Sequence, residues 1–159
     1  MSIPLGLTAV VDSPQGRLGI STAAGALQRL VFLSAYHRLV EPTEPLARQV
    51  VARLEAFFAD PHTPLDIGLS LYGTEFQRRV WRALQRIDVG TVCTYGELAR
   101  QLATSARAVG GACRANPVPI VIPCHRVVAR GGLGGFAGHG SGRLTGIKKQ
   151  LLRHEGVEI

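Results

Sequence analysis

The chain has 159 residues, 46% hydrophobic and 18% charged, with a formal net charge of +7. Those totals describe a globular protein of one ordinary domain or two small ones, and they exclude a disordered or fibrous chain. No apolar run approaches the roughly 20 residues of a membrane span, and Met1 to Gly6 lacks the basic and apolar regions of a signal peptide, so a cytoplasmic protein is expected.

The basic charge is unevenly placed. Residues 1–73 hold five Lys+Arg against six Asp+Glu, whereas residues 74–159 hold thirteen against five. Sixteen of the eighteen basic residues are arginine, whose planar fork suits phosphate and groove contacts. A one-sided basic domain is the electrostatic footprint of a nucleic-acid binder. Three cysteines, Cys93, Cys113 and Cys124, make an odd count with no close pair, which argues against a disulfide framework or a C-x-x-C site. The five histidines show no metal-ligand spacing. A metal site is not expected.

In chain order, Leu7 to Val11, Leu18 to Ser21 and Leu27 to Leu33 read as three strands of a meander. Asp12-Ser13-Pro14-Gln15-Gly16 and Ala24-Gly25 supply the turns. A helix follows, with Thr43 expected as N-cap and Pro45 in its first turn. Leu46, Val50, Leu54, Phe57 and Phe58 would form its core face. Leu65 to Leu71 reads as an edge strand or extended linker, and a domain boundary is expected near 72/73.

The second half opens on Thr74-Glu75-Phe76-Gln77, a capping-box pattern. Phe76, Val80, Leu84 and Ile87 make an apolar stripe there, with Arg78, Arg79, Arg82 and Arg86 on other faces. Thr94-Tyr95-Gly96-Glu97 repeats the capping pattern, and a break at Thr104-Ser105 leads into Ala106 to Ala115. Two short helices so joined read as a helix-turn-helix. The second is made of small residues, with Arg107 and Arg114 projecting from it. Two adjacent glycines cost about 1 kcal/mol each relative to alanine, so Gly110-Gly111 points to close backbone approach, either to a partner or to a neighbouring helix.

Val118 to Ile122 reads as a buried strand that delivers Cys124 to the floor of a pocket. An isolated cysteine is most often a small buried hydrophobe. Here, however, it is followed by His125 and Arg126, and neighbouring positive charge or a base favours the nucleophilic thiolate. Residues 130–146 then carry eight glycines, read as a loop beside the nucleophile. The last helix is expected from Thr145 to Glu155, with Gly156 after it.

The segments A-N-P-V-P-I and I-P-C-H-R-V-V resemble the signature of the O6-alkylguanine-DNA alkyltransferases, also called methylated-DNA–protein-cysteine methyltransferases. The resemblance extends through F-Q-x-x-V-W from Phe76, T-Y-G-E-L-A from Thr94, A-R-A-V-G-G-A from Ala106 and L-L-x-H-E-G from Leu151. It implies an α+β fold in two domains. Residues 1–72 would be a small N-terminal α/β scaffold, an antiparallel sheet plus a helix. Residues 73–159 would be a mainly helical, winged-helix-like domain that binds DNA and accepts the alkyl group.

The resemblance also implies roles. Cys124 would take the alkyl group from guanine O6, His125 would be the base acting through a water, and Glu155 would orient that histidine. Asn116 would be a hinge between recognition helix and active-site strand. Tyr95 would help rotate the nucleotide and protonate the departing guanine. Arg107 would fill the gap left by the flipped base. Ala106, Ala108 and Gly110 would lie against the minor groove, with Ser105, Arg114 and Thr94 as further DNA contacts. Lys148, Phe136, Ala137 and Val127 would line the substrate pocket, Phe136 and Ala137 standing where the family often has tyrosine and serine. The partner implied is duplex DNA containing O6-alkylguanine. The protein would act once, without a cofactor or membrane, as a monomer in solution, with assembly on DNA left open. Three other readings remain: a non-repairing damage sensor, a helix-turn-helix regulator that senses through Cys124, and a cysteine hydrolase.

Overall fold

The three apolar runs of the first half become β1 (Ala9–Ser13), β2 (Gly16–Ala23) and β3 (Ala26–Leu33) in a computed structural model that describes residues 6–136 and 142–159. They form one antiparallel sheet in the order β1-β2-β3, with Val11 opposite Leu18 and Gly19 opposite Val31. Leu18, Ile20, Leu27 and Leu30 are buried. Helix α1 (Pro45–Ala59) buries Ala47, Val50, Val51, Leu54 and Phe57 and packs on the sheet. Each such Leu, Ile or Phe contributes about 1.5–3 kcal/mol when fully buried, so this face holds the unit together.

Two details of α1 differ from expectation. The N-cap is Glu44, not Thr43, and its side chain makes no cap bond. Glu44 Oε1 instead accepts from Thr22 Oγ1 at 2.7 Å, which ties the helix start to β2. Leu46 and Phe58 are half-buried, because Ala47 and Val51 face the sheet more directly. Beyond α1 the chain is extended, touching the sheet through a parallel bridge between Leu69 and Leu27.

The first unit runs to Leu71 and the second from Tyr72 to Ile159. In the second, α2 (Glu75–Leu84) starts with the full capping box, Thr74 Oγ1 accepting from Gln77 N and Gln77 Oε1 accepting from Thr74 N. Its core residues are Val80, Trp81, Ala83 and Leu84, while Phe76 is half-buried beneath the Arg79 guanidinium. Trp81 Nε1 donates to Ala112 O at 2.9 Å, locking α2 to the helix that follows the turn.

Helices α3 (Tyr95–Gln101) and α4 (Ala106–Arg114) pack together as the helix-turn-helix. Thr94 and Glu97 form a second capping box for α3, and Ser105 caps α4 by accepting from Ala108 N. The turn between them is closed by Ala103 at φ 53 and by Thr104 N donating to Ala99 O.

Residues 118–122 are buried as expected but are not a strand. Pro117, Pro119 and Pro123 remove three backbone donors, and proline cannot complete a sheet ladder. The segment is a braced turn instead. Ile122 N donates to Val118 O at 2.9 Å, and Ile120 adopts φ 76. Cys124–Arg126 then form a 3-10 turn that leads into β5 (Val127–Val128), which pairs in parallel with β4 (Cys93–Thr94). Helix α5 (Arg143–His154) begins earlier than expected, after Gly142. No helix among the described residues is long and apolar enough to cross a membrane.

Candidate active site

Asn116 builds the floor of the site. Its amide Nδ2 donates to Ile122 O at 2.8 Å, and its Oδ1 accepts from Val118 N at 3.0 Å. One side chain therefore closes the turn that a proline-rich backbone cannot close alone. The same side chain hydrogen-bonds Cys124.

Cys124 is 5% exposed, at the start of the 3-10 turn. Burial pushes its thiol from 9.0 up to about 11; the Asn116 hydrogen bond, the Lys148 charge and a backbone N–H act the other way. The resting group is a thiol at neutral pH, so a base is needed to use it as a nucleophile.

The next residue is a candidate for that base. His125 Nε2 lies 2.7 Å from Glu155 Oε2, and both side chains are wholly out of solvent. Glu155 is ionised: although burial alone would raise its carboxyl, bonds from His125 and Arg126 take it from 4.5 down to about 2. An ionised acceptor fixes the proton of neutral His125 on Nε2, which leaves the Nδ1 lone pair free. His125 Nδ1 is buried with no hydrogen-bond partner among the described residues. Burial also lowers the histidine's affinity for a proton, against the pull of Glu155. The ring is thus held neutral, oriented and open at one nitrogen.

Lys148 completes the wall. It is fully buried on α5, where its Nζ donates to Val127 O at 2.6 Å and Gly135 O at 2.9 Å. Burial lowers it from 10.5 to about 8, while the nearby Cys124 and Cys113 thiols favour its charge. The ammonium stands 5.7 Å from the centre of the Tyr95 ring. Tyr95 OH donates to Gly135 O at 3.4 Å, and burial first, then the two thiols, raise the phenol to about 12, so it stays a donor. Gly134 carries the chain between these groups at φ 76; a Cβ there would lie 3.1 Å from Tyr95 Cε2 and from Ala129 N. Among the described residues no cluster of three or more His, Cys, Asp or Glu is placed to hold a metal.

The structure therefore brings together Cys124, His125, Glu155, Asn116, Tyr95, Lys148 and the Val127 carbonyl. Phe136 is buried. Ala137 lies outside the described residues. Of the residues assigned to DNA, Ala106, Arg107 and Arg114 are exposed on α4, with Ala108 and Gly110 half-buried. Thr94 and Ser105 use their hydroxyls as helix caps, so any further contact must share those oxygens. A Cβ on Gly110 or Gly111 would meet nothing within 4 Å, so packing inside the chain does not explain these glycines.

Two further residues also belong here: Cys113, given no role from the sequence, and Arg126, read only as charge beside the thiol. Cys113 on α4 is near enough to Cys124 to feel its charge, and burial raises its own thiol to about 12. Arg126 Nε and Nη2 donate to Glu155 Oε1 and Oε2 at 2.8 and 2.9 Å. Arg126 is buried where the arginines of α2 to α4 are exposed, and a sequence does not reveal that difference.

A family model described as 6-O-methylguanine DNA methyltransferase, DNA binding domain, matches residues 75–157. A methylated-DNA–protein-cysteine methyltransferase of Mycolicibacterium paratuberculosis is 45% identical, covering 83% of this chain and 82% of its own. One from Methanosarcina acetivorans is 36% identical over 93% and 97% of the two chains. The crystal structure of Mycobacterium tuberculosis OGT in complex with DNA superposes with a TM-score of 0.79 at 37% identity, covering 93% and 92%.

Proposed function

The chain belongs to the 6-O-methylguanine DNA methyltransferase family, and from that premise we propose that it repairs DNA by moving an alkyl group from guanine O6 onto Cys124. The observation that carries this reading is a buried thiol followed directly by a histidine whose Nε2 is held by Glu155 and whose Nδ1 is free.

In the proposed reaction His125 Nδ1 draws the Cys124 proton, through a water where distance requires it. The sulfur attacks the alkyl carbon in line. A carbon–sulfur bond forms as the carbon–O6 bond breaks, and the electron pair passes to the purine, which takes up a proton. Tyr95, a donor at neutral pH, is the group proposed to supply it, and Lys148 beside it offsets negative charge developing on the sulfur and base. Glu155 steadies the imidazolium formed on the way. The product is a thioether, which none of these groups can reverse, so each molecule acts once and needs no cofactor.

The substrate proposed is O6-alkylguanine in duplex DNA. Guanine O6 is inside the stack, so the nucleotide has to be flipped out, which costs a few kcal/mol. Helix α4 is the proposed reading element, with Ala106, Ala108 and Gly110 against the minor groove and Arg107 entering the stack. The open space over Gly110 and Gly111 supports a face kept bare for a partner. Arg114, Ser105 and Thr94 are proposed as backbone contacts, and Phe136 and Val127 as pocket walls. The N-terminal unit is proposed as scaffold.

The test is direct. The protein is incubated with a duplex carrying labelled O6-methylguanine and the label is mapped by mass spectrometry. One label per molecule, on Cys124, with guanine restored and no second turnover, is the expected result. Tight binding without transfer would refute repair and leave a damage sensor.

A further inference from the structure

Glu155 is shared. Its Oε2 receives both His125 Nε2 at 2.7 Å and Arg126 Nη2 at 2.9 Å, while its Oε1 receives Arg126 Nε at 2.8 Å. The third nitrogen of the fork, Nη1, donates to Ile87 O at 2.6 Å, just beyond α2. The guanidinium is therefore fixed by three hydrogen bonds, and Arg126 as a whole is buried.

This arrangement answers a difficulty in the chemistry. A buried histidine paired with a carboxylate alone is drawn towards the imidazolium, because the pair is then neutral. An imidazolium cannot take the thiol's proton. With Arg126 present, Glu155 is already neutralised, and a proton on His125 would leave a net positive charge in a dry site. We infer that Arg126 is a positioning residue that keeps His125 neutral, with its Nδ1 lone pair available to Cys124. The fork also blocks Oε1, so His125 meets the carboxylate at one oxygen and in one orientation. The inference rests on His125 being the base in the reaction proposed above.

The other groups facing His125 agree. From α5 and its end come Glu155, which favours the charged ring, and Lys148, which opposes it. From its own turn comes Arg126, which opposes it, and burial opposes it most. The ionisable side chains of α2, which packs on the turn, are Glu75, Arg78, Arg79 and Arg82, and all four are exposed to solvent. Removing Arg126 therefore takes away one of two opposing cations and leaves the attraction of Glu155 in place.

Two variants and two measurements test this in the full-length chain. Arg126→Met removes charge and fork, and Arg126→Lys keeps the charge while losing the fork. Single-turnover transfer to Cys124 is followed against pH, and the His125 ring is titrated by NMR. The expected result is a His125 ring that titrates at higher pH in Arg126→Met, with Arg126→Lys between it and the parent. Transfer at neutral pH should fall by about tenfold or more in Arg126→Met, within the roughly 10²–10⁴-fold a general base supplies. The parent-to-variant rate ratio should then shrink towards one as pH rises. A ratio constant with pH, or an unmoved ring titration, overturns the inference, since a structural defect alone gives both. Should Arg126→Met fail to fold, the same two outcomes are read in Arg126→Lys. A ring that titrates higher with no change in rate leaves Arg126's action on His125 standing and sinks the base assignment instead.

Discussion

His125 Nε2 and Glu155 Oε2 meet at 2.7 Å with neither side chain exposed, across 30 residues of sequence. Both groups bind protons less readily in the folded chain than in the open one: the carboxyl falls from 4.5 to about 2, and the ring falls below 6.5. A depressed folded value means that stability is present at high pH and is lost as protons are forced on. Melting temperature should therefore drop as pH falls below 6.5, where the buried ring must charge, and drop further between 4.5 and about 2, where Glu155 protonates. Glu155→Gln should flatten the lower part of that curve. The same substitution should slow transfer by about 10²-fold or more, since a base that is no longer oriented loses much of the 10²–10⁴-fold it supplies.

Cys124 should be unreactive at rest. With its thiol at about 11, only about one molecule in 10⁴ is a thiolate at neutral pH. Iodoacetamide should label Cys124 slowly without DNA, and the rate should climb towards pH 11. In His125→Ala, transfer from O6-methylguanine DNA should be most impaired at neutral pH and recover as the thiol ionises unaided. Full labelling of Cys124 at neutral pH within the time a free thiol needs would contradict this account.

Asn116 links the braced turn to the nucleophile, so its loss should be felt in both. Asn116→Ala removes two hydrogen bonds and leaves Ile122 O and Val118 N without their side-chain partner. Ile122 O still accepts from Cys124 N at 2.8 Å, so the group left unpaired is Val118 N, and a loss of about 1–3 kcal/mol in chemical denaturation is expected. Asn116→Asp keeps the acceptor for Val118 N and should lose less. In both variants the Cys124 thiol should titrate higher, because the Asn116 bond favours its ionised form.

Local chemistry was the legible part of this fold. The turns of the sheet, the boxes at Thr74 and Thr94 and the proline at the start of α1 depend on residues within four positions of one another, and each stands as read. The two-residue strands β4 and β5 were not legible, because their pairing of Cys93 with Val127 is set by what packs around them. Residues 118–122 misled through hydrophobicity alone: apolar side chains report burial, whereas the prolines among them decide against a ladder. At the site, His125 could be suspected from its place beside Cys124, but nothing local connects it to Glu155. The family pattern supplied that link. Arg126 was read only as positive charge beside Cys124, because nothing local connects its guanidinium to Glu155.

Gly110 and Gly111 offer a test in which stability and binding move in opposite directions. Both are helical, with open space where a Cβ would stand. Gly110→Ala should therefore stabilise the chain by about 0.5–1 kcal/mol, the ordinary gain of alanine over glycine in a helix. If the bare face lies against a minor groove, the added methyl holds the backbone off and duplex affinity falls. A variant that is more stable and binds DNA as well as the parent would remove α4 from the interface. Melting curves and fluorescence anisotropy on one preparation decide it.

Arg107 separates recognition from chemistry. It is exposed on the first turn of α4, and no described hydrogen bond or ion pair in the chain uses its guanidinium. Arg107→Ala should change stability by less than about 0.5 kcal/mol, as surface substitutions do. Its expected effect is on repair of duplex DNA, where an inserted side chain holds the flipped nucleotide out, at a cost of a few kcal/mol if the stack has to re-form. The free base O6-benzylguanine needs no flipping, so transfer from it to Cys124 should be unchanged. A loss on duplex DNA with the free-base rate intact places Arg107 in base extrusion. Equal losses on both substrates would mean that the substitution disturbs the Cys124 pocket, and equal rates on both would leave extrusion to another residue of the helix.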